Sequence, residues 1–473
     1  MALEDKLFTL GQERSYLAFN SPSITDAQAE ANVEALALSL YSVIVTLGQV
    51  PIIRAPRNTA ASMVAKRVCD RLREHLLRSS TLSDSLSSSF QRPLVVLVDR
   101  NVDMSVMALV HDLLDMKLNT IRLEQEVEAD AASGKSGGVE TKTYDLDPAS
   151  DGFWIANAGN PWTKVVVDVE AQVKEYTAIM DELKKLKVND DDDPLARLDR
   201  TKHLGSLVGS MFEVTEKKPL IDMHLNIATA LFERIKQRNL DAYLKLEEAI
   251  TTHATPDKKE ILGLLAAKGD TAEDKLRLFL IFYLTTAIPE EDLPRYEAAL
   301  TEAGVDLRPF QYLKKVKAFN NSLMGGAQRT SSRSGGSVRG SVTTSLASLV
   351  QQGVNHIKMW IPSSRHLYLT RVVDALMEQR GGSSLGGVEE QYEYYDPKVT
   401  NPHLQASMPR KNTPYTHAIV FVIGGGNYVE FQNLQDYAKE QPRGVGETPK
   451  QIIYGSTEIL SARQFLAQLS ELA

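Results

Sequence analysis

At 473 residues, 43% of them hydrophobic, the chain is long enough for about two to four domains with sizeable cores. Its 53 basic and 61 acidic residues give a net charge of −8, which removes the electrostatic case for a nucleic-acid binder. The single cysteine, Cys69, excludes a disulfide framework and a four-cysteine zinc site.

No apolar run approaches a membrane span, and Met1-Ala-Leu-Glu-Asp-Lys6 lacks the basic and apolar regions of a secretory signal. A reducing, cytosolic setting is expected. The first part of the chain alternates helix and strand. Asp26–Leu47 reads as a helix with Thr25 as its cap, and Val50–Arg54 as a short strand. Thr59–Arg78 carries helical apolar spacing at Met63, Val64, Val68, Leu72 and Leu76. Cys69 lies within it and reads as a small buried side chain rather than a nucleophile. Ser79–Ser89 is a serine-rich loop. Pro93–Val98 is an uninterrupted apolar strand of the kind buried on both faces in a parallel sheet. It ends in Asp99-Arg100-Asn101-Val102-Asp103, which is either a site at the strand's carboxyl end or a structural ion-pair corner. Glu124–Lys142, charged and rich in glycine, reads as a loop.

The middle is helical. Trp162–Lys187 places Val166, Val169, Val173, Tyr176, Met180 and Leu183 at alternating steps of three and four, a heptad seam. The acidic run Asn189–Asp193 breaks it. Pro194 then opens a second helix carrying Leu195, Leu198, Leu204, Leu207, Val208, Met211 and Phe212. Together they read as a helical hairpin with an acidic tip. Its stripes either bury each other or leave a groove for further helices. Pro219–Glu248 reads as one long helix with a partner face at Leu225, Ala228, Leu231, Phe232 and Ile235. Helices follow at Asp274–Thr285, strongly apolar, and at Glu291–Ala303 and Phe310–Phe319.

Composition then shifts. Gly325–Thr344 is glycine, serine and arginine, a flexible basic linker with Arg329, Arg333 and Arg339. Behind it, Leu346, Leu349, Val350, Val354, Ile357 and Ile361 form one helical face, with Trp360 beside it. This tethered helix suits a lid, a partner helix, a membrane-surface element or an ordinary domain helix. Gly381–Gly387 is a second break. The tail returns to α/β: strand Ala418–Ile423, helix Tyr428–Lys439, strand Gln451–Tyr454 and helix Ser461–Leu472. It is short for an independent domain, so it is expected to complete the N-terminal sheet across a helical insertion.

The tail strand runs into Gly424-Gly425-Gly426, the layout of a phosphate cradle. The dinucleotide fingerprint asks for a third glycine where this chain has Val429, and no phosphate-binding lysine loop occurs. The other reading is a tight strand-to-helix turn with positive φ, which glycine adopts freely. Between them stand a nucleotide-binding enzyme and a binding protein. No H-E-x-x-H, G-x-S-x-G or C-x-x-C is present, and His111, His224 and His253 have no metal spacing. Asp99 and Asp103 lie four apart with no nucleophile beside them. The residues therefore point to no catalytic group, cofactor or metal.

A set of short segments carries a family likeness. Arg92–Asp103, the strand with its three glycines and Asn427-Tyr428, and Ile453–Leu460 resemble the Sec/Munc (SM) family of SNARE-assembly proteins. Pro51–Arg54, Leu220–His224, Asp274–Leu280 and Asp396–Lys398 fit as well, and several are similar to the ER–Golgi Sly branch. The resemblance implies an α/β plus all-α architecture. A split, doubly wound parallel sheet domain would be formed by residues 1–143 and 396–473. A large inserted helical domain would comprise a hairpin template half, 144–255, and a second half, 256–395, with the flexible loop 325–344 and an amphipathic lid at 345–361.

The implied activity is that of a SNARE chaperone in ER–Golgi transport. It binds syntaxin-type and other SNARE helices and templates their assembly, as a monomer without enzymatic activity or cofactor. It would be cytoplasmic and peripherally associated with ER and Golgi membranes. On this resemblance Leu198, Leu204, Leu207, Val208, Met211 and Phe212 become SNARE contacts, since heptad-periodic ligands require an apolar groove. Leu346, Leu349, Val350, Val354, Ile357, Trp360 and Ile361 become an autoinhibitory lid that also meets membrane surfaces weakly. A structural tether subunit is the third class of reading.

Two departures stand out. The family begins with a further α/β domain that holds the pocket for the syntaxin N-terminal peptide, and this chain starts where that domain ends. It is therefore expected to be a fragment without that pocket. After Asp103 the family has additional residues rich in His and aromatics, where this chain has only Met104–Ala108. Either a surface piece is deleted there or the sequence is incomplete, and disturbed packing of the central sheet is expected.

Overall fold

The computed structural model describes residues 6–78, 92–109, 120–127, 138–147, 150–158, 162–188, 218–251, 257–267, 271–286, 288–318, 366–378, 391–399, 414–439 and 449–473. The chain divides into two compact units, one of Met1–Asp112 with Leu240–Ala473, the other Leu113–Asn239.

The first unit is built on a six-stranded sheet whose strands come from both ends of the sequence. They are β1 (Leu7–Thr9), β2 (Ile52–Pro56), β3 (Leu94–Asp99), β6 (Tyr392–Tyr395), β7 (His417–Ile423) and β8 (Gln451–Ser456), in the order β1-β8-β7-β3-β2-β6. The tail thus completes the N-terminal sheet. β3 lies parallel to β7 in continuous register from Leu94↔Ala418 to Asp99↔Ile423. Among these described strands only β6 runs antiparallel, pairing Ile53 with Tyr395 at one edge. It lies just ahead of the expected boundary at 396, so the sheet begins to re-form earlier than the sequence suggested.

The apolar run Leu94–Val98 is buried throughout because side chains alternate across a strand and both faces are covered. Leu94, Val96 and Val98 share a core with Val420, Val422, Ile452 and Tyr454, under the helices Tyr368–Glu378 and Tyr428–Lys439. After the short helix α1 (Ser15–Asn20) come α2 (Asp26–Thr46) and α3 (Ala60–Arg78), and under these two Val95 and Leu97 share the opposite core with Ile53, Ile419 and Phe421. Truncating a side chain such as Leu97 to alanine in such a core costs about 2–5 kcal/mol.

The start of α2 follows its sequence signal. Thr25 accepts from the Gln28 N–H while Gln28 reaches back to the Thr25 N–H, a reciprocal cap. Contrary to the expectation from apolar runs, α2 is by length and composition apolar enough to cross a membrane, although Glu30 and Glu34 interrupt its apolar sequence. Its inner face, Val33, Leu36, Ala37, Leu40 and Ile44, is part of the core under the sheet. The helix Ala272–Thr285 is the most deeply buried, with Phe279 against Tyr296 and Phe310.

In the second unit the expected loop at Glu124–Lys142 is instead a hairpin. β4 (Thr120–Val127) pairs antiparallel with β5 (Gly138–Asp145), from Thr120↔Asp145 to Val127↔Gly138. Ile121 and Leu123, two apart along β4, are both buried, while the sequence puts charges at 122, 124 and 126. Read as composition, those charges hid a period of two. The helix Trp162–Val188 matches its expected span. The single helix expected over Pro219–Glu248 is two, 218–237 and Leu240–Thr251, broken where Asn239 takes φ of 50°. Asparagine tolerates that left-handed conformation and ends helices there. The break is also where the two units divide. The inward face of 218–237 is also turned from the expected one: His224, Ile227, Ala230 and Leu231 are buried, while Leu225 and Phe232 are exposed.

Candidate functional site

The Asp99–Asp103 corner and the glycine triplet, far apart in sequence, meet at the carboxyl ends of β3 and β7. Gly424 and Gly425 have φ of 94° and 99°, so the strand leaves the sheet through a turn closed to other residues. A Cβ on Gly425 would collide with Leu460, and one on Gly426 with the Tyr454 hydroxyl.

Every backbone donor of this turn is already engaged by β8 or by the segment just after it. The N–H groups of Gly424 and Gly425 both donate to Thr457 Oγ1, at 3.1 Å each. Gly426 N–H donates to Glu458 O at 2.9 Å, and Asn427 N–H to Tyr454 Oη at 3.2 Å. Asn427 Oδ1 accepts from the Glu430 N–H at 2.9 Å, capping the helix Tyr428–Lys439. No free N–H is left to hold a phosphate. The adjoining cavity is lined by Asp99, Asp103 and Glu430 beside Arg100 and offers about 10 Å³, room for roughly one water. The nucleotide-binding reading of the triplet is therefore overturned.

Arg100 is the keystone of the corner. It is 3% exposed and its partner Glu430 2%. Its Nη1 and Nη2 donate to the two Glu430 carboxylate oxygens at 2.9 and 2.6 Å. Nε donates to Gly425 O and Nη1 also to Asp103 O. The Tyr454 hydroxyl donates to Glu430 Oε2 at 2.7 Å. Burial pulls the guanidinium's pKa down, but Glu430, Tyr454 and Asp103 outweigh it and hold the pKa above its ordinary value. Asp99 is used structurally as well. Its Oδ2 accepts the Ala61 N–H at 3.0 Å at the first turn of α3. Burial raises the Asp99 carboxyl above the usual range, against the pull of that bond and of Thr59.

The short bridge after Asp103 is packed rather than disturbed. Met104, Val106, Met107, Ala108 and Leu109 are all buried. Arg277, itself fully buried, donates from Nε to Ala108 O at 3.3 Å and from Nη2 to Leu109 O. Asn427 Nδ2 donates to Val106 O at 3.0 Å. A charge inside the apolar run Leu276–Leu280 was the one sequence signal for Arg277, since a buried cation has to be satisfied. Nothing in sequence announced Arg100–Glu430, whose members lie 330 residues apart.

In the second unit, His224 and Asp151 form a buried pair, with Nε2 and Oδ2 2.8 Å apart. Asp151 Oδ1 also accepts the Trp154 N–H, and Phe153 lies against the imidazole at 4.5 Å between ring centroids. Among the described residues no group of His, Cys, Asp and Glu is placed to hold a metal ion. The expected contact residues Leu198, Leu204, Leu207, Val208, Met211 and Phe212 lie outside the described residues. So do the lid residues Leu346, Leu349, Val350, Val354, Ile357, Trp360 and Ile361. In the helix Trp162–Val188, the first of the expected hairpin, Val169 is buried and Val166 exposed.

Comparison with known proteins places this architecture. The sequence profile of the Sec1 family matches residues 1–468. The chain belongs to the Sec1 family. It is 40% identical to human Sec1 family domain-containing protein 1, over 100% of this chain and 76% of the relative. It is 36% identical to the SEC1 family transport protein SLY1 of Oryza sativa subsp. japonica, over 100% of this chain and 73% of the relative. Among solved structures, Sly1p in complex with an N-terminal peptide of Sed5p matches with a TM-score of 0.71 and 27% identity, over 98% of this chain and 72% of that one. The SM protein Vps45 in complex with the Qa SNARE Tlg2 matches in fold, with a TM-score of 0.64 at 18% identity, over 99% of this chain and 74% of that one. This Sec1 family chain thus has the fold that SM proteins share, and it spans about three quarters of these relatives' length.

Proposed function

We propose that this Sec1 family chain binds SNARE helices, a syntaxin-type helix first, and holds them in register before they zipper during ER–Golgi transport. The observation that carries this is its likeness along almost its whole length to Sly1p, solved with a peptide of Sed5p. The many relatives that carry the Sly1 name point to the same branch. The chain works by binding alone. The corner that most resembled a reacting centre spends its charges on one another, and its amides on Thr457, Glu458 and Tyr454. It acts from the cytoplasm as a monomer, peripherally associated with ER and Golgi membranes.

The template is the inserted hairpin, with Leu198, Leu204, Leu207, Val208, Met211 and Phe212 as the stripe on which SNARE helices dock. The helix over 346–361 is the lid that leaves this stripe, and it touches the membrane surface weakly. The deciding experiment is a pull-down with the core helix of a syntaxin-type SNARE. Leu204→Glu with Val208→Glu should abolish capture at unchanged circular dichroism, and deletion of residues 325–361 should strengthen it. Normal capture by the double variant would exclude this stripe, and unchanged capture by the deletion would exclude the lid. Large stable assemblies without SNARE capture would favour a tether subunit instead.

A further inference from the structure

We draw no further inference here: the strongest candidate, the uncharged outward stripe of helix Asp26–Thr46 formed by Ala31, Ala35, Leu38, Ser42 and Val45, is an unpartnered apolar face and nothing in the structure shows what covers it.

Discussion

The corner at the carboxyl ends of β3 and β7 and the helices of the second unit solve opposite problems. At the corner, strongly polar groups are buried and each finds a partner: Arg100 with Glu430, Asp99 with the Ala61 N–H, the glycine amides with Thr457. In the second unit, apolar side chains stay at the surface: Val167 is 61% exposed and Phe232 57%. A polar cluster that satisfies itself has little left to offer a ligand, whereas exposed apolar side chains on helices are what a partner helix can use. Charge and glycine in the sequence drew attention to the first region. The proposed docking function draws on the second.

The sharpest way to break this comparison is to unbalance the corner. Glu430→Ala leaves the Arg100 guanidinium buried with no carboxylate. Losing one member of such a pair costs about 3–5 kcal/mol. Urea unfolding should therefore show a large loss of stability. Arg100→Met combined with Glu430→Leu removes both charges and should recover much of it. If the single and double variants are equally damaged, the corner is held by packing rather than by its ion pair.

The glycine turn gives a smaller effect. Gly425→Ala puts a Cβ at φ of 99° and onto the Leu460 side chain. Leu460 is flexible enough to yield, so the backbone conformation sets the cost, about 1–3 kcal/mol. A melting temperature unchanged from the parent would show that the turn relaxes to negative φ. On the proposed function, SNARE capture by the surviving folded protein should be normal, because the turn belongs to the sheet and not to the proposed docking stripe.

Much of this fold was legible because the signals were local. The apolar run Leu94–Val98 announced a doubly covered strand, and Thr25 with Gln28 announced a helix start. The hairpin Thr120–Asp145 was not legible, because its charges and glycines mimic a loop when counted as composition. The strands Leu7–Thr9 and Tyr392–Tyr395 are too short for a period to show, and distant pairing holds them in place. At the corner, sequence supplied Asp99, Arg100 and the glycines but not Glu430, Thr457 or Tyr454. Those roles exist only once β3, β7 and β8 lie side by side. The failed third glycine, Val429, was a sound local warning against a phosphate cradle, and the occupied amides give the physical reason.

The buried pair of the second unit should show itself through pH. Burial holds the His224 imidazole below its ordinary value of 6.5, and Asp151 draws it back only in part. The unfolded chain then binds a proton that the folded chain resists. This contribution to stability is complete above the unfolded value and is lost as pH falls from there through the lower folded value. Between pH 7.5 and 5.5, stability should fall further in the parent than in His224→Gln, which keeps a donor toward Asp151 but cannot titrate. The difference should stay below about 1.4 kcal/mol, the worth of one pH unit for one group. Trp154 and Trp162 lie in this unit, so tryptophan fluorescence during urea unfolding reports it. Parallel pH curves for parent and variant would show that His224 is not held neutral.

The smallest expected effect tests the other side of the comparison. Phe232 is a large apolar side chain that the fold leaves in water, so Phe232→Ser removes little buried surface. Its stability should stay within about 0.5 kcal/mol of the parent, as for surface substitutions generally. Ile227→Ser, one turn away on the buried side of the same helix, should cost several times more. Guanidinium unfolding of both variants makes the comparison. Equal losses would mean that the helix is buried all round, and that the second unit closes on itself as fully as the corner does.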